Sequence, residues 1–407
     1  MMPGTGIPAR QERPEARYRG VIELANRYCV TRILAACALL AAICAEASPL
    51  AAASRPIEVS TSTLLWNPED RTETRTGKLV WAGGIEIASP DEDFGGWSGL
   101  AVSPDGAAML SVSDQGRWLT AILLYDERGR LSGMAEAQIA PMLGLDGKPI
   151  AGKTLGDAES LVILPGATDG ILGKAYVGFE RAHRIWRYDL ETFGAEATPE
   201  QLLTQRHFGR LNSNGGLESL ELLPPSGPER DPRILAITED TLDPRGHIKG
   251  FIADGHDIAW FGLTAREPYS PTDMALLPNG DLLLLERRYS PLAGVGMQMR
   301  LIPGDTIARD AIVDGEVLVD VGQRYSIDNM EGMAVRRDQN GDLLIYVISD
   351  DNFNPLQRTL LLMFRLEMPK EPQLAPAEGT LKLPRSPEAD GSSAAASGSE
   401  EADQAPR

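Results

Sequence analysis

The sequence predicts an all-β fold, a single β-propeller of five or six blades, and three observations carry that expectation. Five segments share one shape: a short apolar strand, a turn built from Pro, Asp, Asn or Gly, and a second strand that ends in a carboxylate. Their aligned residues Ser98, Glu159, Glu218, Asp273 and Glu331 fall 55–61 residues apart, near a period of 58. No stretch has a helical pattern, and each repeat holds about four strand-like runs, the content of a propeller blade. A two-sheet sandwich, the alternative all-β architecture, would not repeat so regularly.

The elements follow in chain order. Residues 32–47, RILAACALLAAICAEA, form an apolar run after Arg27 and Arg32 and before the small-x-small site Ala45-Glu46-Ala47. This reads as a secretory signal peptide over 1–47, too short for a stable membrane span. The stretch before the apolar run is long for such a leader, which makes a start codon downstream of Met1 an alternative. Leu34-Ala35-Ala36-Cys37 resembles a lipoprotein box but stands too early in the run. The three cysteines, Cys29, Cys37 and Cys44, all fall inside this segment. Cleavage after Ala47 leaves a mature chain held by packing or metal rather than disulfides, in the periplasm or secreted.

The propeller is expected over 56–368. Two early runs, IEVSTSTLLW and KLVWAGGIEIA, precede the first repeat. KLVWAGGIEIASP resembles RLSGMAEAQIAPM at the end of that repeat, so the early segment is expected to complete the last blade and hide the ring's edges. The five repeats then begin at WSGLAVSPDG (97), AESLVILPG (158), LESLELLPP (217), PTDMALLPNGD (271) and MEGMAVRRDQNGD (330). The turns at Pro104-Asp105-Gly106, Asn279-Gly280-Asp281 and Asn340-Gly341-Asp342 read as ordinary hairpin turns. Trp97, Trp118, Trp186 and Trp260 recur near strand edges and read as core. From Pro369 to Arg407 the chain is rich in Pro, Ala, Ser, Glu and Gly, a composition that predicts a disordered tail.

Asp and Glu exceed Lys and Arg by 58 to 39, a net charge of −19. That argues against a nucleic-acid partner, which needs a basic footprint. In a propeller the first strand of each blade lines the central channel, so equivalent residues converge on the axis. The first column then brings Glu159, Glu218, Asp273 and Glu331 together. A second column closes the next strand: Asp114, Glu180, Glu239, Glu286 and Asp350. Carboxylates so gathered repel and lose solvent, and a cation, arginine partners or shared protons must relieve them. Oxygen ligands without cysteine, and only four histidines, favour Ca²⁺ (or Mg²⁺) over zinc. Glu–Arg pairs fixing the ring are the structural alternative.

The stretch ISDDNFNPLQR at 348–358 only partly matches a self-contained calcium loop. Asp350, Asn352 and Asn354 fit the first three places of that template. Pro355 then replaces its glycine and Leu361 its final Glu. The stretch is instead the most elaborate copy of the strand-ending carboxylate, and the site's reactive end is expected there. No G-x-S-x-G elbow is present. His183, His207, His247 and His256 are scattered, with His183 the one near the second column.

The set FGGWSGLAVSPDG, SVSDQGRW, DAESL, YVGFERAHRIWRYDL, GGLESL, LAITED, SPTDMALLPNGDLLLLERR, IDNMEGMAV and ISDDNFNPLQRTLL resembles the phytase-like domain family of exported bacterial proteins, also called esterase-like activity of phytase. The match runs over roughly 75–367. The resemblance implies a β-propeller and hydrolysis of phosphate or carboxylate esters.

The site expected from these readings is a metal-assisted hydrolase acting on a small anionic or ester substrate, in a monomer. Glu159, Glu218, Asp273, Glu331, Asp114 and Glu239 are the expected metal ligands. Asp350, Asp351, Glu331 and Glu180 are the expected catalytic groups. Arg181, Arg287, Arg358 and Asn352 are expected to hold the substrate. A non-catalytic propeller that binds a ligand or a partner protein at the same mouth is the alternative.

Overall fold

The computed structural model describes residues 54–150, 152–166, 170–213 and 215–368. The expected signal peptide, the three cysteines and the expected tail from Pro369 lie outside the described residues.

The described chain opens with short strands β1 (Arg55–Pro56), β2 (Ser60–Thr63) and β3 (Arg75–Thr76), then the ten-residue β4 (Leu79–Ala88). Blade 1 follows as β5 (Trp97–Val102), β6 (Ala108–Ser113), β7 (Arg117–Tyr125) and β8 (Leu131–Pro141). Blade 2 is β9 (Ala158–Leu164), β10 (Lys174–Phe179), β11 (Arg184–Asp189) and β12 (Glu200–Thr204). Blade 3 is β13 (Leu217–Leu223), β14 (Arg233–Leu242), β15 (Ile248–Asp254) and β16 (Asp257–Leu263). Blade 4 is β17 (Ser270–Leu276), β18 (Leu282–Ser290) and β19 (Gly294–Ile302). A short β20 (Ile312–Val313) leaves to pair with β16 before β21 (Glu316–Gly322) completes blade 4. Blade 5 holds β22 (Asn329–Arg337), β23 (Leu343–Asp350) and β24 (Thr359–Leu366), and β4 adds to β24 as its outermost strand.

Blade number is thus five, and the ring closes through an N-terminal strand as the sequence predicts. β4 and β8, matched in sequence, hold the same outermost place in blades 5 and 1. The first early run extends less than expected, since only Ser60–Thr63 of it is strand. β1 pairs with β8 and β2 with β4, so one segment covers the outer edges of two neighbouring blades.

The core lies between the blades. Along β14, Ile234 and Ala236 pack with Phe251, Tyr176 and Leu220 toward blade 2. Leu235 and Ile237 pack with Leu282, Leu284 and Met274 toward blade 4. Successive strand residues point to opposite sheet faces, and here both faces are covered. That is why these strands read as continuous apolar runs such as RILAI and DLLLL rather than alternating ones. Trp97, Trp118 and Trp186 are core residues, as expected. The innermost strands β5, β9, β13, β17 and β22 contact one another in that order and close on β5, which brings one end of each to the axis.

Candidate functional site

At the same place in every blade the innermost strand carries one extra residue, a β-bulge that breaks register with its partner. The extra residues are Ser98, Glu159, Glu218, Thr272 and Glu331. A bulge re-aims a side chain, and Glu159, Glu218 and Glu331 all line one axial cavity of about 1020 Å³.

Blade 4 corrects the expected columns. The bulge there belongs to Thr272, so Asp273 stands one position beyond the column. Because side chains alternate, one residue of slip sends the group to the other face of the strand. Asp273 is buried outside the cavity lining. Its Oδ2 accepts the backbone N–H of Met333 in the next blade at 2.6 Å, and its Oδ1 accepts its own neighbour Met274 N–H at 2.8 Å. Glu221 does the same from blade 3, accepting Leu276 N–H at 2.8 Å. An innermost strand is a sheet edge, and these carboxylates cap N–H groups that have no strand beyond them.

The second column departs in the same blade. Asp114, Glu180, Glu239 and Asp350 hold it in blades 1, 2, 3 and 5, each opposite the residue before the bulged pair. In blade 4 that partner, Ser270, faces Arg287, not Glu286. Glu286 points to the opposite face and forms a bidentate pair with Arg300 at 2.7 and 2.6 Å, both side chains fully buried. The column therefore carries four carboxylates and one arginine.

Eight carboxylates line the cavity: Asp114, Glu159, Glu180, Glu218, Glu239, Asp328, Glu331 and Asp350. Only Lys153, Arg287 and Arg358 oppose them. Two sets of three bring their oxygens within 4.8 Å of one another: Asp157, Glu159 and Glu180, and Glu180, Glu218 and Glu239. Glu180 belongs to both. Its Oε1 is fixed by the backbone N–H groups of Gly215 and of Gly216, the latter at 3.3 Å. Arg287 bridges Glu331 at 2.8 Å and Glu239 at 3.2 Å. Lys153 holds Asp114 Oδ2 at 2.5 Å. Asp114 Oδ1 and Asp157 Oδ1 are buried and accept no hydrogen bond.

The electrostatics follow from this crowding. Burial pushes Glu218 well above the usual carboxylate range, and Glu159 adds to it. Glu159 is raised likewise, by burial and then by Asp157. Burial and then Glu331 raise Asp350. Glu239 is pushed up to about 7 by burial, with Arg287 pulling the other way, and Asp157 to about 6 by burial against Lys153. Glu331 is raised by burial although Arg287 beside it opposes the shift. Arg287 holds its proton more tightly than usual, chiefly because of Glu331.

The remaining expected residues separate. Asn352 lines the cavity, with its backbone in the left-handed region at φ 50°. Arg358 stands at the rim, 3.4 Å from Asp328. Asp351 does not reach the cavity lining. Its oxygens accept Gly96 N–H at 3.2 Å, Phe353 N–H at 3.0 Å and Thr359 Oγ1 at 2.9 Å, so it builds the turn and ties it to blade 1. Arg181 also lies outside, paired with Asp157 Oδ2 at 2.6 Å on the cavity's flank. Asp157, Lys153 and Asp328 are site residues that the column argument missed. Asp157 directly precedes the second repeat in DAESL, and Asp328 stands in IDNMEG. Lys153 sits on a four-residue helical turn, Lys153–Gly156, so no repeat register could find it.

Fold and cavity together define a five-bladed β-propeller whose axial mouth gathers buried carboxylates around one arginine. The chain belongs to the phytase-like family described as esterase-like activity of phytase, whose model matches residues 92–353. No curated protein matches the chain. Among solved structures, the Dos1 propeller is similar at 10% identity and TM-score 0.29, over 72% of this chain and 67% of that one. A Dyadobacter fermentans protein of unknown function is similar at 10% identity and TM-score 0.37, over 78% and 100%. A glucose dehydrogenase is similar at 13% identity and TM-score 0.35, over 70% and 98%.

Proposed function

We propose that the axial cavity is a cation-dependent hydrolytic site for a small phosphate or carboxylate ester. The observation that carries this is the set Glu180, Glu218 and Glu239, oxygens within 4.8 Å, with Arg287 beside it. The donors suit a hard cation: they are all carboxylate oxygens, and Asp114 Oδ1 and Asp157 Oδ1 are left without a hydrogen-bond donor. Glu180, Glu218 and Glu239 would hold Ca²⁺ or Mg²⁺, with Asp157 and Glu159 as the neighbouring group. A cation there supplies polarisation of an ester oxygen and a more acidic water.

The chain's own groups support the chemistry around it. Without the cation Glu239 stands at about 7, so near neutral pH it would give up its proton as the cation binds. Asp350, raised by burial and then by Glu331, is the carboxylate suited to give a proton to a leaving oxygen. Arg358 at the rim is suited to an anionic group, while Lys153 is already held by Asp114. One observation favours non-catalytic binding instead. Arg287, the most deeply buried of the three cations, is already taken up by Glu331 and Glu239.

Hydrolysis of p-nitrophenyl phosphate and p-nitrophenyl acetate, with calcium and after chelation, separates the two. The hydrolytic reading expects turnover of one ester that chelation and Glu218→Gln both abolish. A calcium-dependent melting shift without turnover of either ester leaves a binding propeller and ends the hydrolytic reading.

A further inference from the structure

Beside the axial cavity lies a second hollow of about 460 Å³ between blades 2 and 3. It is lined by Arg181, His183, Gln205, Arg210, Asn212 and Ser213, with Leu211 as its apolar floor. The two cavities share no lining residue. No carboxylate lines the smaller one, in a chain whose net charge is −19.

Its cations are arranged for an external partner. Arg181 lies in the left-handed region at φ 40°, an unfavourable backbone state for a residue with a Cβ. Its Nε is anchored to Asp157 Oδ2 at 2.6 Å, which fixes the planar guanidinium in place. Arg210 is exposed and makes no ion pair or side-chain hydrogen bond among the described residues, and neither does the Gln205 amide. His183 is 4% exposed, and its Nδ1 has no hydrogen-bond partner. Asn212 is committed to Asp240 through its amide at 2.9 Å. Directly behind, Arg184 is buried with backbone carbonyls and the rings of Phe179 and Trp186 as its partners, and no carboxylate. Arg181 and Arg210 line one hollow that no carboxylate lines, and Arg binds tetrahedral oxyanions through paired N–H groups.

We propose that this hollow is an anion site for inorganic phosphate or the terminal phosphate of a monoester, formed by Arg181 and Arg210 and needing no metal. It stands apart from the hydrolytic reading of the axial cavity and survives that reading's failure.

The test is calorimetric titration of the full chain at neutral pH in excess chelator, with inorganic phosphate in one arm and phenyl phosphate in the other. Saturable binding is expected in at least one arm. Tighter binding of the free ion assigns the hollow to phosphate itself, and tighter binding of the ester to a monoester's terminal group. Arg210→Ala, an exposed residue that folding does not need, should weaken binding about tenfold or more, in line with loss of a charge-assisted contact. Sulfate should compete and chloride should not. Glu218→Gln, in the axial cavity, should leave the affinity unchanged. The proposal falls if neither ligand binds saturably in chelator, or if Arg210→Ala and Arg181→Ala both bind as the parent does. Binding that Glu218→Gln abolishes would also overturn it, because the axial cavity would then be the site.

Discussion

A carboxylate in this ring does one of two jobs, and the side of the innermost strand it leaves from decides which. Glu159, Glu218 and Glu331 leave at the bulge and meet in the cavity, while Asp273, one position on, caps the Met333 N–H. Asp273→Ala should therefore destabilise the fold by about 1–3 kcal/mol, the cost of an unpaired buried donor, and leave the calcium response intact. Chemical denaturation and a calcium titration on the same variant check both halves; a lost calcium response would return Asp273 to the ligand set. The four-carboxylate column read from sequence failed here for a physical reason. Matching Asp273 to glutamates pairs like chemistry with like, whereas the six-residue step to the turn proline, as from Ser98 to Pro104, Glu159 to Pro165 and Glu218 to Pro224, reaches Pro278 from Thr272. The same matching put Glu286 where Arg287 stands. The spacing near 58 and the Glu159, Glu218, Glu331, Asp114, Glu180, Glu239 and Asp350 positions were legible because each sits at a fixed distance from a turn. Lys153 and Asp157 were not, since neither repeats.

At the scale of an element, blade 4 differs from the other four. It gives the axis an arginine and turns its own acid inward to Arg300. Glu286→Gln leaves Arg300 buried with only exposed Asp314 as an anionic partner, and breaking such a pair costs about 3–5 kcal/mol. The expected outcome is a large loss in denaturation midpoint with no change in calcium affinity, because Glu286 lies outside the cavity. Arg287→Gln should act oppositely on the site. Removing the resident positive charge frees Glu239 and Glu331, and calcium affinity measured by calorimetry should rise, by about tenfold or more for a charge removed at contact distance. Unchanged affinity would show that Arg287 and the cation do not compete. The closing strand is a separate matter. Ile85 on β4 is fully buried, so Ile85→Ala should cost about 2–5 kcal/mol in chemical denaturation. β4 was readable in sequence because it copies β8, whereas β1 and β3, two residues each, carry no pattern at all.

The charge of the whole ring sets its response to pH. Asp157 and Glu239 have folded-state pKa values of about 6 and about 7, above their ordinary 3.8 and 4.5. The native chain thus holds these protons longer than the unfolded chain does. The stability they contribute is complete below the ordinary values and is lost as pH rises through about 6 and about 7. In chelator, the melting temperature should fall as pH is raised from 4.5 to 7. Calcium should flatten that slope and release protons on binding, since it replaces them among the same oxygens. At a hundredfold excess over its dissociation constant, calcium should add about 2.7 kcal/mol. A melting temperature that climbs over this pH window in chelator would mean the crowded carboxylates are not what limits stability.

Closure of the ring by β4 has a consequence for how the molecule is made. β4 is made before blades 1–4 and its partner β24 after them, so one strand of the final blade waits for the other three. Until Thr359–Leu366 arrives, the edge of β4 that faces blade 5 has no partner. Contacts this distant in sequence make folding slow, and blade 5 is the one blade that no contiguous segment completes. A ring that cannot close until β24 has emerged stays open while blades 1–4 are made. A ribosome-bound chain arrested before Thr359 should remain protease-sensitive from blade 1 onward, and one extended past Leu366 should resist.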